Sequence, residues 1–157
     1  MDRMDFPKRK SPRIPEYDYS EANFYFITIC IDGKKCIFGE AGNLNWLGRI
    51  AEENLIKISA INPSIRLDHY VVMPNHIHAI LDVGPDNQKN LSNVIGQYKM
   101  SVTKLARKKV AGFRVWQRSY HDHVIRNQVG YEKIWAYIEN NPLKWEADCF
   151  YRNDGYY

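Results

Sequence analysis

Phe24-Tyr25-Phe26-Ile27-Thr28-Ile29-Cys30-Ile31 is the segment that most restricts the fold, because it is aromatic and β-branched almost without a polar break and stops at Asp32-Gly33. Such a run reads as a strand ended by a turn, and its near-continuous hydrophobicity places it centrally in a sheet. The neighbouring elements follow from their periods. From about Leu44 to Ile58, the apolar residues Leu47, Ile50, Ala51, Leu55 and Ile58 recur at helical spacing, and Asn62-Pro63 then stops the helix. Ile65 to Val72 and His76 to Val83 read as two strands of a hairpin around the turn signal Met73-Pro74-Asn75. Leu91, Val94, Ile95, Tyr98, Val102 and Leu105 predict a second amphipathic helix over about residues 90 to 109, with Lys99, Lys104, Arg107, Lys108 and Lys109 on its other side. Tyr120 to Arg126 reads as a short fourth strand and Gly130 to Asn141 as a last helix with Ile134 and Ile138 inside. The order strand, helix, strand, strand, helix, strand, helix predicts an α+β fold with helices against a mainly antiparallel sheet.

A chain of 157 residues is long enough for one buried core and too short for two. Its 45% apolar and 25% charged residues exclude disorder, collagen and coiled coil as classes. No stretch reaches the roughly 18 apolar residues of a membrane span, and Met1-Asp2-Arg3-Met4-Asp5 lacks the apolar core of a secretory signal, so a cytoplasmic location without membrane contact is expected. Cys30, Cys36 and Cys149 lack metal-like spacing and read as reduced structural thiols. Residues 1–22, with Lys8, Arg9, Lys10 and Arg13 among prolines, have no apolar period and read as a basic arm ahead of a single domain over 23–157. The net charge of +4 permits an anionic partner without requiring one.

His76-Ile77-His78 is the sharpest local feature. Alternate residues of a strand share a face, so the imidazoles stand about 7 Å apart at Cα and can converge on one cation, while Ile77 points into the core. The blander alternative is a pair of hydrogen-bonded histidines. Structural zinc would want four ligands, usually with closely spaced thiolates that are absent here, whereas two histidines with oxygen ligands and open positions suit Mg2+ or Mn2+ as a Lewis acid on phosphate. The second helix offers cations for phosphate oxygens, or simply a solvated face. Eleven tyrosines and four tryptophans include surfaces on which unpaired bases can stack, though most belong to the core. On the last helix, Tyr137 and Asn141 are four residues apart and neighbours on one face. A phenol is a weak nucleophile unless a nearby cation stabilises its anion, and a half-buried packing tyrosine is the alternative.

Four blocks of residues resemble the single-tyrosine HUH transposases, especially the bacterial REP-associated tyrosine transposases. Tyr70 to Ile80, with its Met73-Pro74-Asn75-His76-Ile77-His78, resembles their His-hydrophobe-His strand. Leu91 to Lys104, with Gln97-Tyr98-Lys99-Met100-Ser101, is similar to the helix that follows it; Trp116 to Arg126 is similar to the next block and Tyr137 to Trp145 to the tyrosine helix. The blocks run in family order across about residues 24 to 145.

The resemblance implies a ferredoxin-like HUH fold in which His76 and His78 hold a divalent metal, Mg2+ or Mn2+, with Asn141 as third ligand and Tyr137 as nucleophile. It implies a metal-dependent single-stranded DNA endonuclease and strand transferase acting at hairpin-containing DNA through a 5′-phosphotyrosine intermediate. Lys99, Lys104, Arg107, Lys108, Arg118 and Arg126, with the arm's Lys8, Arg9, Lys10 and Arg13, are the expected DNA contacts. The family holds both dimers with a composite site and members that act alone, so a homodimer stays open. Pro142 disfavours helical backbone at Asn141. The chain ends soon after the tyrosine helix, so a closing C-terminal element is expected to be absent or reduced. Two other classes compete: a hairpin-binding protein of this fold that does not cut, and a small metallohydrolase, disfavoured by the basic helix and by the lack of acidic ligands near the histidines.

Overall fold

The structure, a computed structural model, describes residues 23–148, 150 and 151. The basic arm with Lys8, Arg9, Lys10 and Arg13, and Cys149, lie outside the described residues. The elements are β1 (Asn23–Cys30), β2 (Gly39–Glu40), β3 (Asn43–Leu44), α1 (Trp46–Ile61), β4 (Ile65–Val72), β5 (His76–Val83), α2 (Leu91–Lys109), β6 (His121–Ile125) and α3 (Gln128–Asn140), followed by a 3-10 turn, Pro142–Ala147. β4, β5, β1 and β6 lie in that order in one wholly antiparallel sheet, the ferredoxin-like arrangement expected, with β1 inside. The small β2–β3 hairpin was not foreseen, since two-residue strands carry no period.

The sheet is covered on both faces, which accounts for the unbroken hydrophobicity of β1. Tyr25, Ile27 and Ile29 of β1 and Ile77, Ala79, Leu81 and Val83 of β5 pack with Leu47, Ala51, Leu55 and Ile58 of α1 and Leu91, Val94, Ile95, Tyr98 and Val102 of α2. Leu105, expected inside, is only half-buried, and Ala106 takes the inward place. On the opposite face Ile80 and Ile125 meet Ile138 of α3, with Phe24, Phe26 and Ile134 against them. Each helix begins at an asparagine whose side chain accepts from backbone N–H groups: Asn45 from Leu47 and Gly48, Asn90 from Ser92, and Asn127 from Gly130. These caps start α1 later and α3 earlier than the apolar period implied.

Two local features fix the helices on the sheet. A β-bulge between Leu67 and His69 turns the Asp68 carboxylate toward α3, where the Tyr131 hydroxyl donates to it at 2.5 Å. Gly48 lets α1 approach the chain before β2, because a Cβ there would lie 2.4 Å from the Phe38 carbonyl oxygen. Gly48→Ala is therefore expected to cost about 1–3 kcal/mol, read as an earlier urea midpoint.

Candidate active site

The register of the sheet builds the site. Thr28 of β1 faces His78 of β5, and Cys30 faces His76. Both histidines stand on the α3 side of the sheet, and Ile77 between them is fully buried on the other side. The rings are 4.5 Å apart between centroids. Each ring is held at Nδ1: His78 by the Thr28 hydroxyl at 2.8 Å, His76 by the Asn75 carboxamide oxygen at 2.8 Å. The Asn75 amide group in turn donates to the carbonyls of Lys34 and Phe150, so its oxygen is the atom left to face His76. Fixing Nδ1 leaves Nε2 as the ligating nitrogen of His76.

α3 brings Tyr137 and Asn141 to the same place. The Tyr137 oxygen lies 3.4 Å from His78 Nε2, and the ring packs edge-on to Phe26, which stacks on His78. Asn141 retains helical φ and ψ of −58° and −44° despite the following proline; α3 ends at Asn140 and the chain tightens into the 3-10 turn. That turn carries the chain back over the histidines. Its residue Trp145 and, beyond it, Phe150 lie against His76, with ring centroids at 5.9 and 4.5 Å. Among the described residues this short turn is the only element after α3, and with Phe150 it leaves His76 0% and His78 2% exposed.

The turn also delivers a residue that sequence reasoning missed. Asp148 Oδ2 accepts from the Asn141 amide at 2.6 Å and from the Tyr137 hydroxyl at 3.4 Å. Ligand atoms of His76, His78 and Asp148 all lie within 4.8 Å of one another. The presumed lack of an acidic ligand near the histidines is corrected with it, since Asp148 is distant in sequence and arrives only by the fold-back. Thr28 was missed because only strand register brings it to His78, and Asn75, read as a turn residue, because its role depends on the Lys34 and Phe150 carbonyls that take its amide group.

The donor set fits a divalent cation. His76 Nε2 and Asn141 Oδ1 are buried lone pairs with no hydrogen-bond partner, and leaving such atoms unmatched is costly unless a cation or water takes them. Two imidazoles, a carboxylate and an amide oxygen suit Mn2+ or Mg2+. Burial holds His76 down at about 4, against the opposing pull of Asp148 and Asn141. Burial and then the neighbouring His76 hold His78 at about 3. Both are therefore neutral ligands across the physiological range. For Asp148, burial alone would raise the pKa, but hydrogen bonds from the Phe150 N–H and the Asn141 amide and the two imidazoles outweigh it and hold the carboxyl below its ordinary range.

The depressed histidines carry a stability prediction. The unfolded chain takes up protons near the ordinary 6.5 that folded His76 and His78 refuse until about 4 and about 3. Their contribution is complete above pH 6.5 and lost as the pH falls through that window, by up to about 1.4 kcal/mol per pH unit for each histidine. Thermal midpoints of metal-free protein should fall from pH 7 to pH 4.5, and less steeply in His78→Gln.

The expected cationic residues divide. α2 packs on the face of the sheet away from the histidines, because its apolar stripe belongs to the core shared with α1. Lys99 donates to the Gln117 and Ser119 carbonyls and Arg107 to the Phe113 carbonyl, so both brace the segment after α2. Lys104 and Lys108 are exposed on that same far-side helix. Arg118, just before β6, and Arg126, just after it, are exposed at opposite ends of that strand. None of the six joins His76, His78, Tyr137, Asn141 and Asp148.

Fold and site together define a class: an antiparallel α+β sheet that presents paired strand histidines to a tyrosine on a following helix. The family model described as "Transposase IS200 like" matches residues 44–141, and the chain belongs to that family of transposases. An uncharacterized protein of Haemophilus influenzae is 39% identical over 167 residues, covering 91% of this chain and 93% of that one. Among solved structures, a REP-associated tyrosine transposase bound to a REP hairpin superposes with a TM-score of 0.66 at 22% identity, covering 84% of this chain and 73% of that chain. A putative transposase from Deinococcus radiodurans R1 gives 0.55 at 18% identity, over 82% and 95% of the two chains. At these identities the two structures establish the fold. Among the described residues, no helix is long and apolar enough to cross a membrane.

Proposed function

We propose that this transposase is a metal-dependent endonuclease and strand transferase for single-stranded DNA, with Tyr137 as its nucleophile. The observation that carries the reading is the placement of the Tyr137 oxygen 3.4 Å from both His78 Nε2 and Asp148 Oδ2, beside the unpartnered lone pairs of His76 and Asn141. His76, His78, Asp148 and Asn141 would hold Mn2+ or Mg2+, which when bound supplies Lewis-acid neutralisation of phosphate charge. Thr28 and Asn75 keep the imidazoles turned toward that position. The phenol proton passes to solvent, to which Tyr137 is open, while Asp148 Oδ2 orients the hydroxyl. The Tyr137 oxygen–phosphorus bond forms as the phosphorus–O3′ bond breaks, and the departing oxygen takes up a proton to become a 3′-hydroxyl. The 5′-phosphotyrosine ester keeps the phosphodiester's bond energy, so attack by a DNA 3′-hydroxyl restores the phenol and joins the strands without a nucleoside triphosphate.

The REP hairpin bound by the REP-associated relative favours hairpin-containing ends as substrate. The test is incubation with labelled hairpin DNA carrying single-stranded tails, with Mn2+ or with chelator, followed by a denaturing gel. A metal-dependent covalent protein–DNA species is expected. Tight hairpin binding with no adduct, whichever metal is added, would replace this reading with that of a non-cutting hairpin binder.

A further inference from the structure

Lys133 and Lys144 belong to no cationic surface foreseen from the sequence, yet they flank the nucleophile. Lys133 lies one helical turn before Tyr137 on α3, and Lys144 sits in the 3-10 turn that follows. Together with Ala136, Tyr137, Asn140 and Asp148 they line a cavity of about 270 Å³. Both lysines are exposed, and neither ammonium group forms an ion pair or hydrogen bond among the described residues. The nearest carboxylate in the cavity, Asp148, is already engaged by the Asn141 amide and the Phe150 N–H. A cleft rimmed by two uncommitted ammonium groups, opening beside a nucleophile, suits an anion.

In-line attack decides which anion. The tyrosine oxygen and the departing O3′ occupy opposite apical positions on phosphorus, so the strand ending in O3′ leaves on the side away from the tyrosine's helix. The strand attached through O5′ stays equatorial and remains covalently bound to Tyr137. A cationic cleft built on the tyrosine's own helix and the turn after it lies on the side of that second strand.

We infer that the Lys133–Lys144 cleft is a phosphate subsite for the retained strand, binding the first phosphate on the 3′ side of the cleaved bond. The subsite rests on the tyrosine reading above. It would hold the 5′-phosphotyrosine strand in place while a new 3′-hydroxyl arrives, and it adds a contact that α2, on the far face, does not provide.

Two measurements test it. The first uses Tyr137→Phe protein, which cannot form an adduct, and labelled hairpin DNA with single-stranded tails, with and without Lys133→Gln and Lys144→Gln together. Affinity should fall about tenfold, and the slope of log K against log salt should shrink by about 0.7, the share of one single-strand phosphate; unchanged affinity and slope would overturn the subsite. The second uses protein with Tyr137 intact and places one methylphosphonate on either side of the cleaved bond, mapped from the released strand. Neutralising the 3′-side phosphate should raise KM about tenfold, with kcat little changed, and add nothing in the double-lysine variant. Sensitivity on the 5′ side instead would overturn the assignment to the retained strand. Failure of protein with Tyr137 intact to form any adduct would count against the tyrosine chemistry, while the binding measurement would still decide the subsite.

Discussion

Tyr137→Phe is expected to abolish the covalent adduct, with strand cleavage reduced on the order of 10³-fold or more, because the group that bonds to phosphorus is gone and no described hydroxyl replaces it. The fold should be untouched. Tyr137 is 43% exposed, and the phenylalanine ring can keep its edge contact with Phe26, so the thermal midpoint should stay within a few degrees. Hairpin binding should persist in the variant. An adduct that survived this substitution would end the assignment of Tyr137 as nucleophile, and a collapse of the thermal midpoint would show that the ring serves the fold.

His76→Ala should remove the metal response. On the metal reading, protein with His76 intact should gain about 2.7 kcal/mol of stability when free Mn2+ stands at 100 times its Kd, if the ion binds only the folded chain. His76 Nε2 is buried with no hydrogen-bond partner, so its loss would take away a proposed ligand without breaking a hydrogen bond at that atom. The variant should lose Mn2+ affinity at least about 100-fold by calorimetry, its Mn2+-dependent rise in thermal midpoint, and its cleavage activity. Because the imidazole is fully buried against Trp145 and Phe150, its removal should also lower the metal-free midpoint. The difference between midpoints with and without Mn2+ separates the two effects. A variant that kept the full Mn2+ shift would place the ion elsewhere.

The hairpin that carries the histidines was the most legible part of the chain. Ile65–Val72 and His76–Val83 begin and end where the sequence places them, because Met73-Pro74-Asn75 marks the reversal locally and period two marks the faces. α1 and α3 were legible in kind but not in extent. Asparagine caps set their starts, and the Asn62 amide, donating to the Ile58 carbonyl, lets α1 run to Ile61. What stayed hidden was long-range. The bulge at Asp68 depends on Tyr131 across the sheet, Thr28 meets His78 only through strand register, and Asp148 reaches the histidines only after the 3-10 turn reverses the chain. The basic stripe of α2 was read correctly as a stripe, but its distance from the tyrosine depends on which face of the sheet the helix covers, and amphipathicity alone does not encode that.

The alternation across His76-Ile77-His78 makes strand pairing a proofreading step. If β5 slid by one residue against β1, Ile77 would enter the cleft and both imidazoles would be driven into the largely apolar core around Ile29 and Leu55. The misaligned sheet would lose its ligands and its oily interior together, so a chain able to pack at all would already hold its histidines correctly. Insertions or deletions of one residue in Met73–Asn75 should accordingly yield insoluble protein, and a folded but inert enzyme should not accumulate.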